Sequence, residues 1–221
     1  MRPVLELILI HRWLRGHPHQ DALRARLERA LKGPWAEKDE SPSTNSSMAR
    51  NIAFELVCAA KMAQGGEVDL NDGDLAAAVD GARVNVECKR PRSAAGLPAA
   101  VKDAIEQLEK RARRHRGSVG LIAISGDLLM RSPSDIVKSE SEEPIQRFYS
   151  DAARRIRREH GGAWRFRRSK AVHGVYVNVA GPAHARAPDK LFWAEGDLVH
   201  ILRREAADVL LALTYRPRFD F

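Results

Sequence analysis

The dipeptide Asp80-Gly81 constrains this chain more tightly than any other feature, because it separates two short runs read as strands, Asp74 to Val79 and Ala82 to Cys88. A two-residue type I′ turn needs φ > 0 at both central positions, and Asp-Gly is one of the few pairs that accept this. The turn fixes the register: Val79 faces Ala82 and, counting outward, Asp74 faces Glu87. Opposed residues of an antiparallel pair share a face with Cβ atoms about 4.5–5.5 Å apart, so two carboxylates placed there repel. A hard divalent cation would relieve that repulsion, and Mg²⁺ in particular is held by one or two carboxylates together with substrate oxygens. Ala76, Ala78 and Asn85 share the face, Lys89 joins it two residues after Glu87, and Val84, Val86 and Cys88 turn toward a core. On spacing alone, a solvated face with ordinary surface charge stays open as the plainer reading.

Glu55 adds weight to the first reading. It is the one polar side chain in Ile52-Ala-Phe-Glu-Leu-Val-Cys-Ala-Ala60, a helical stretch apolar nearly all round and therefore expected to be buried. A lone buried carboxylate is costly unless paired or coordinated. A structural salt bridge to Arg50 or Lys89 is one account of it, and a place beside the hairpin carboxylates is the other. The next helix carries a buried stripe of Val101, Ala104, Ile105, Leu108 and Ala112. Gln107, Lys110, Arg111 and Arg114 fall on one flank at helical spacing. An amide beside three cations suits an edge that follows phosphates, and equally a plain solvated face.

Elsewhere the pattern predicts two helices over residues 3–32, interrupted at Gly16-His17-Pro18-His19, then a polar linker from Glu37 to Ser47. A helix from about Ser47 to Gln64 follows, then a short strand at Glu67 to Leu70, the hairpin, a loop from Pro91 to Pro98, and a helix from Ala99 to Arg116. The remainder reads as a buried strand at Val119 to Ile124 and a mobile acidic surface loop from Arg131 to Pro144. Beyond these come a helix from Ile145 to His160, a strand from Val172 to Ala180 and a closing helix from Leu198 to Leu213. This order argues for an α/β layer around a small central sheet. Cys58 and Cys88 lie in apolar stretches and read as buried free thiols, too few for a disulfide framework or a cysteine zinc site. The apolar run Val4 to Ile10 is short and lacks a small-residue cleavage site, and no segment has the length of a membrane span, so a cytoplasmic protein is expected.

The chain carries a formal net charge of +8, which implies a polyanionic partner without choosing one. Residues 147–170 hold nine Arg or Lys against Asp151 and Glu159, a net +7 in one segment. On the helix from Ile145 to His160, the residues Ile145, Phe148, Tyr149, Ala152 and Ile156 fill one arc. Arg147, Arg154, Arg155, Arg157 and Arg158 fill the opposite one. Such clustering is the expected electrostatic footprint of phosphate binding, and an ordinary amphipathic helix is the plainer alternative.

Glu55 on a helix, Asp74 at a strand start, Glu87-Cys88-Lys89 on the partner strand and Gln107 on the following helix together resemble the PD-(D/E)XK nuclease superfamily. The resemblance covers about residues 47–125; Gly73 stands where the motif has proline, and a four-cysteine iron–sulfur set is lacking. It implies a restriction-endonuclease-like core, a mixed sheet flanked by helices, over residues 47–221, with residues 1–46 as an N-terminal helical extension and linker. It further implies Mg²⁺ or Mn²⁺ held by Asp74, Glu87, the Cys88 carbonyl and Glu55, and catalysis through Lys89 assisted by Gln107. Arg90 and Arg92 would contact phosphate beside Lys110, Arg111, Arg114 and the arginine helix. DNA is the expected partner and no membrane is. An inactive nucleic-acid-binding module on the same fold is the alternative, and whether the chain works as a homodimer stays open.

Overall fold

The hairpin forms with the expected turn, Asp80 at φ 49° and Gly81 at φ 78°. The computed structural model describes residues 2–18, 20–33, 46–71, 75–130, 136–164 and 169–214. Strand β2 (Leu75–Val79) pairs with β3 (Ala82–Lys89) in the register set by the turn, from Val79 opposite Ala82 to Leu75 opposite Val86. Asp74, the next position outward, lies outside the described residues, as do most of the linker and Arg165, Arg167 and Arg168.

Around this hairpin the chain builds one mixed seven-stranded sheet. Strand β1 (Glu67–Asp69) lies antiparallel on β2, and β4 (Val119–Ser125) lies parallel on β3. Strand β6 (Gly174–Ala185) continues the sheet parallel to β4. The far edge of β6 is covered along its whole length by antiparallel β7 (Lys190–Ile201), so its near edge is shared by β4 at residues 174–178 and β5 (Val137–Ser139) at 183–185.

Helices cover both faces. Helix α3 (Ser46–Met62) buries Leu56, Cys58, Ala59 and Ala60 against Val84, Val86, Leu121 and Ala123. Helices α1 (Arg2–Leu14) and α2 (Gln20–Leu31) pack on α3 and add Leu9, Ile10, Leu14 and Leu23 to the same core. Helix α6 (Ala207–Thr214) closes that layer with Leu210 and Leu213. On the opposite face, α4 (Leu97–Arg114) and α5 (Glu142–His160) bury Leu97, Val101, Leu108, Ile145 and Ile156 against Ile122, Ile124, Val175 and Val177. The result is a three-layer α/β arrangement in which each strand offers alternate residues to each helical layer.

Two expectations are corrected. Residues 198–201 end strand β7, and the last helix is confined to Ala207–Thr214. Leu198, Val199, Ile201 and Leu202 suit a helical stripe equally well, but the twelve-residue ladder with β6 claims them first. The strand was hidden because Glu195-Gly196-Asp197 has poor strand propensity. Gly196 is there because α5 runs against it, and a Cβ would collide with the Tyr149 carbonyl. Residues 137–139, expected within a surface loop, form β5 on the edge of β6.

A polar network joins the last turn of α3 to the β6–β7 hairpin. Lys61 Nζ lies 2.6 Å from Glu195 and 3.0 Å from Asp197, and donates to the Tyr176 hydroxyl at 3.1 Å. Tyr176 and Asn178 each donate to Asp197 at 2.7 Å. Burial works to lower the Lys61 pKa, but the two carboxylates outweigh it and hold the ammonium charged well above its ordinary range. With two carboxylates on one cation, burial and the Asp197 charge push the Glu195 carboxyl up.

Where β4 begins, His173 Nδ1 accepts the Gly120 N–H at 3.0 Å, which requires the neutral ring. Burial lowers the His173 pKa from its ordinary 6.5. The unfolded chain therefore binds the proton first, so this contribution to stability is present above pH 6.5 and is lost as pH falls through the folded value. The fall in melting temperature between pH 7 and pH 5 is expected to shrink in His173→Gln, measured by thermal denaturation at both pH values. An unchanged fall would place the acid sensitivity elsewhere.

Candidate active site

Glu87 projects from β3 toward α4 and is 1% exposed, so its charge has to be compensated from within the protein. Arg111 Nε supplies that at 3.1 Å from Oε1, and Lys89 Nζ lies 3.6 Å from Oε2. Lys89 in turn pairs with Asp103 at 2.7 Å and donates to Gln107 Oε1 at 3.0 Å. Gln107 Nε2 donates to both oxygens of Asp103 at 3.0 Å. The amide thus accepts from the ammonium and donates to the carboxylate, fixing both on one flank of α4. Among the described residues this cluster holds two anions, Glu87 and Asp103, and two cations, Lys89 and Arg111.

Arg111 does not belong to the outer flank where its spacing from Gln107 put it. Its guanidinium is buried and also donates to the Leu75 and Val86 carbonyls at 3.0 and 3.2 Å. Because Leu75 and Val86 are opposed in the ladder, one side chain clamps both strands of the hairpin beside Glu87. The signal was present in the sequence: Leu97, Val101, Ala104, Leu108 and Arg111 form a single helical stripe, and all five are buried. Lys110 and Arg114 are exposed, Arg90 is buried and Arg92 is exposed.

Glu55 faces a different neighbour from those its sequence context offered. Arg26 of α2 pairs with it at 2.6 Å and donates to the Leu70 carbonyl at 2.9 Å, while Arg50 pairs with Glu6. Glu55 comes from the helical layer on the face of β3 opposite to α4, and Arg26 ties it to the chain just after β1. Arg26 was not singled out from sequence, since it stands between Leu23 and Leu27 as an ordinary helix cation. Asp103 was missed as well, although its place one turn before Gln107 puts it on the same flank.

Helix α5 keeps the arc expected of it. Ile145, Tyr149, Ala152 and Ile156 are buried, Phe148 is 45% exposed, and Arg147, Arg154, Arg155, Arg157 and Arg158 face outward. The helix as formed includes Glu142 and Glu143, so its five arginines stand against four acids. Arg147 pairs with Glu143 and Arg154 with Asp151. The charge is graded, acids first and arginines last, which also suits the helix dipole.

The donors available at the hairpin end are carboxylate and carbonyl oxygens, a set that fits a hard divalent cation and not a soft one. Glu87 Oε1 is shared with Arg111, which limits how that carboxylate can approach a cation. Among the described residues no helix is long and apolar enough to cross a membrane. In comparisons with known proteins, no family model, no curated protein and no solved structure matches this chain.

Proposed function

We propose that the chain is a metal-dependent nuclease of the PD-(D/E)XK type that hydrolyses phosphodiester bonds, with DNA as the favoured substrate. The observation that carries this reading is the buried Glu87 carboxylate with the Lys89 ammonium 3.6 Å away, one residue beyond the last described pair of the hairpin ladder, Leu75 with Val86. Support also comes from the element order: α3, the antiparallel strands β1, β2 and β3, then α4 and the parallel strand β4.

In this reading Asp74, Glu87 and the Cys88 carbonyl hold Mg²⁺ or Mn²⁺. Such an ion would supply a Lewis acid for the scissile phosphate and lower the pKa of a water. Lys89 would orient the attacking water and offset charge developing on the phosphoryl oxygens. Gln107 aims the ammonium, and Asp103 holds it until a phosphate competes for it. Arg111 keeps the hairpin end and the Glu87 carboxylate in place. Glu55 serves a second cation, for which Arg26 is the competitor. Arg90, Arg92, Lys110 and Arg114 contact the backbone of the substrate.

A second reading has its own observation. Arg111 and Arg26 already compensate Glu87 and Glu55, as they would in a nucleic-acid-binding module without catalysis. Incubation with plasmid, linear and single-stranded DNA and with RNA separates the two. Cleavage that requires Mg²⁺ or Mn²⁺ is expected, and binding without cleavage under any of these conditions would leave the second reading.

A further inference from the structure

Arg26 reaches Glu55 from outside the segment that resembles a nuclease motif. It belongs to α2, in the N-terminal helical extension, and its guanidinium has acceptors on two different elements. Nη1 lies 2.6 Å from a carboxylate oxygen of Glu55 on α3. Nη2 donates at 2.9 Å to the Leu70 carbonyl, just past β1 and four residues before Asp74. The two side chains of the ion pair are 15% and 14% exposed, so solvent screens their charges only in part.

The helix that delivers Arg26 is anchored. Leu23, one turn before it, is buried in the core under α3, and Leu27, next to it, packs on the same core. Two further ties come from α1 and from the turn after it. Glu6 pairs with Arg50 of α3 at 2.9 Å, and His17 donates from Nε2 to the Val68 carbonyl at 2.7 Å. Val68 lies on β1, the edge strand of the sheet. The extension thus grips the stretch of chain that leads into Asp74, and Arg26 is where it meets a carboxylate of the proposed metal site.

Electrostatics decides what Glu55 can do there. A carboxylate with a guanidinium at 2.6 Å already has its counter-charge, and a divalent ion brought to the same oxygens meets that guanidinium as a like charge. In the proposed function the cation at Glu87 has Asp74 and the Cys88 carbonyl as further donors. Glu55 instead offers a second cation a carboxylate that Arg26 already holds.

We infer that Arg26 is a positioning residue of the candidate site, one that limits it to a single tightly bound divalent cation by keeping the Glu55 carboxylate engaged. The inference rests on the metal site of the proposed function and adds to it which of the two cation places is strong. It also makes the N-terminal extension part of the site, since α2 lies outside residues 47–221.

The test is calorimetric titration of Mn²⁺ into the full chain without substrate, for wild type, Arg26→Gln, Arg26→Lys and Arg26→Gln combined with Glu55→Gln. One tight Mn²⁺ is expected in the wild type and in Arg26→Lys, which keeps the charge. Arg26→Gln is expected to take up a second Mn²⁺ at least about tenfold more tightly than the wild type does, the lower end of what one unit charge does to an ion equilibrium at about 4–6 Å. Adding Glu55→Gln should remove that gain. Two Mn²⁺ ions bound with comparable affinity by the wild type overturn the inference without any variant. A lowered melting temperature in Arg26→Gln with unchanged Mn²⁺ binding also overturns it, and makes the pair a plain clamp between α2 and α3. So does a gain that persists when Glu55→Gln is added. One Mn²⁺ in the wild type, matched by Arg26→Gln, removes this inference and keeps the metal site, whereas a chain that binds no Mn²⁺ in any form removes both.

Discussion

Lys89→Ala is expected to lower the rate of metal-dependent cleavage by about 10²–10³-fold, the usual cost of removing one preorganised donor aimed at developing charge. The fold should survive. Glu87 retains Arg111 at 3.1 Å, and Asp103, whose side chain is 56% exposed, is solvated once its partner is gone. Affinity for DNA should change little, because a group that acts in the transition state contributes less to ground-state binding. Single-turnover cleavage in Mg²⁺ and equilibrium binding in Ca²⁺ separate the two quantities. Wild-type cleavage in this variant would take Lys89 out of the chemistry.

The second large effect concerns stability. Lys61→Met removes the cation from two carboxylates and a tyrosine that pack in the α3 layer. Breaking a fully buried ion pair by deleting one partner costs about 3–5 kcal/mol; here Lys61 is buried but Glu195 is half-buried and Asp197 exposed, so solvent screens part of that. A loss of about 1–3 kcal/mol is expected in urea denaturation, with part of it recovered when Glu195→Gln and Asp197→Asn are added. The wild-type network is at full strength below the unfolded lysine pKa near 10.5 and weakens as pH rises toward the higher folded value. A loss below about 1 kcal/mol would mean that α3 is held to β6 and β7 by apolar packing alone.

The parts of the fold legible in the sequence are those governed by local rules. Asp80-Gly81 fixed the β2–β3 register because two positive φ angles leave few alternatives, and the apolar periods of α3, α4 and α5 placed those helices within a few residues of their ends. Strand β7 escaped because its central Glu195-Gly196-Asp197 is shaped by distant partners, α5 against the glycine and Lys61 against the acids. The same limit applies at the site. Lys89 and Gln107 are 18 residues apart and meet at 3.0 Å, a contact the hairpin and one helix suffice to suggest. Arg26 meets Glu55 across 29 residues and two helices, and nothing local in either segment names the other. Arg111 was misplaced for a simpler reason: a cation in an apolar stripe reads as surface until its guanidinium finds a buried carboxylate and two strand carbonyls to hold.

In the proposed function Glu87 helps to hold a divalent cation despite the arginine beside it. Calorimetric titration of Mn²⁺ into the wild-type chain, Lys89→Ala and Glu87→Gln tests this without any substrate. Saturable Mn²⁺ binding is expected for the wild type and for Lys89→Ala, with at least about a tenfold loss of affinity in Glu87→Gln. Binding of equal strength in Glu87→Gln, or none in the wild type at millimolar Mn²⁺, would contradict it.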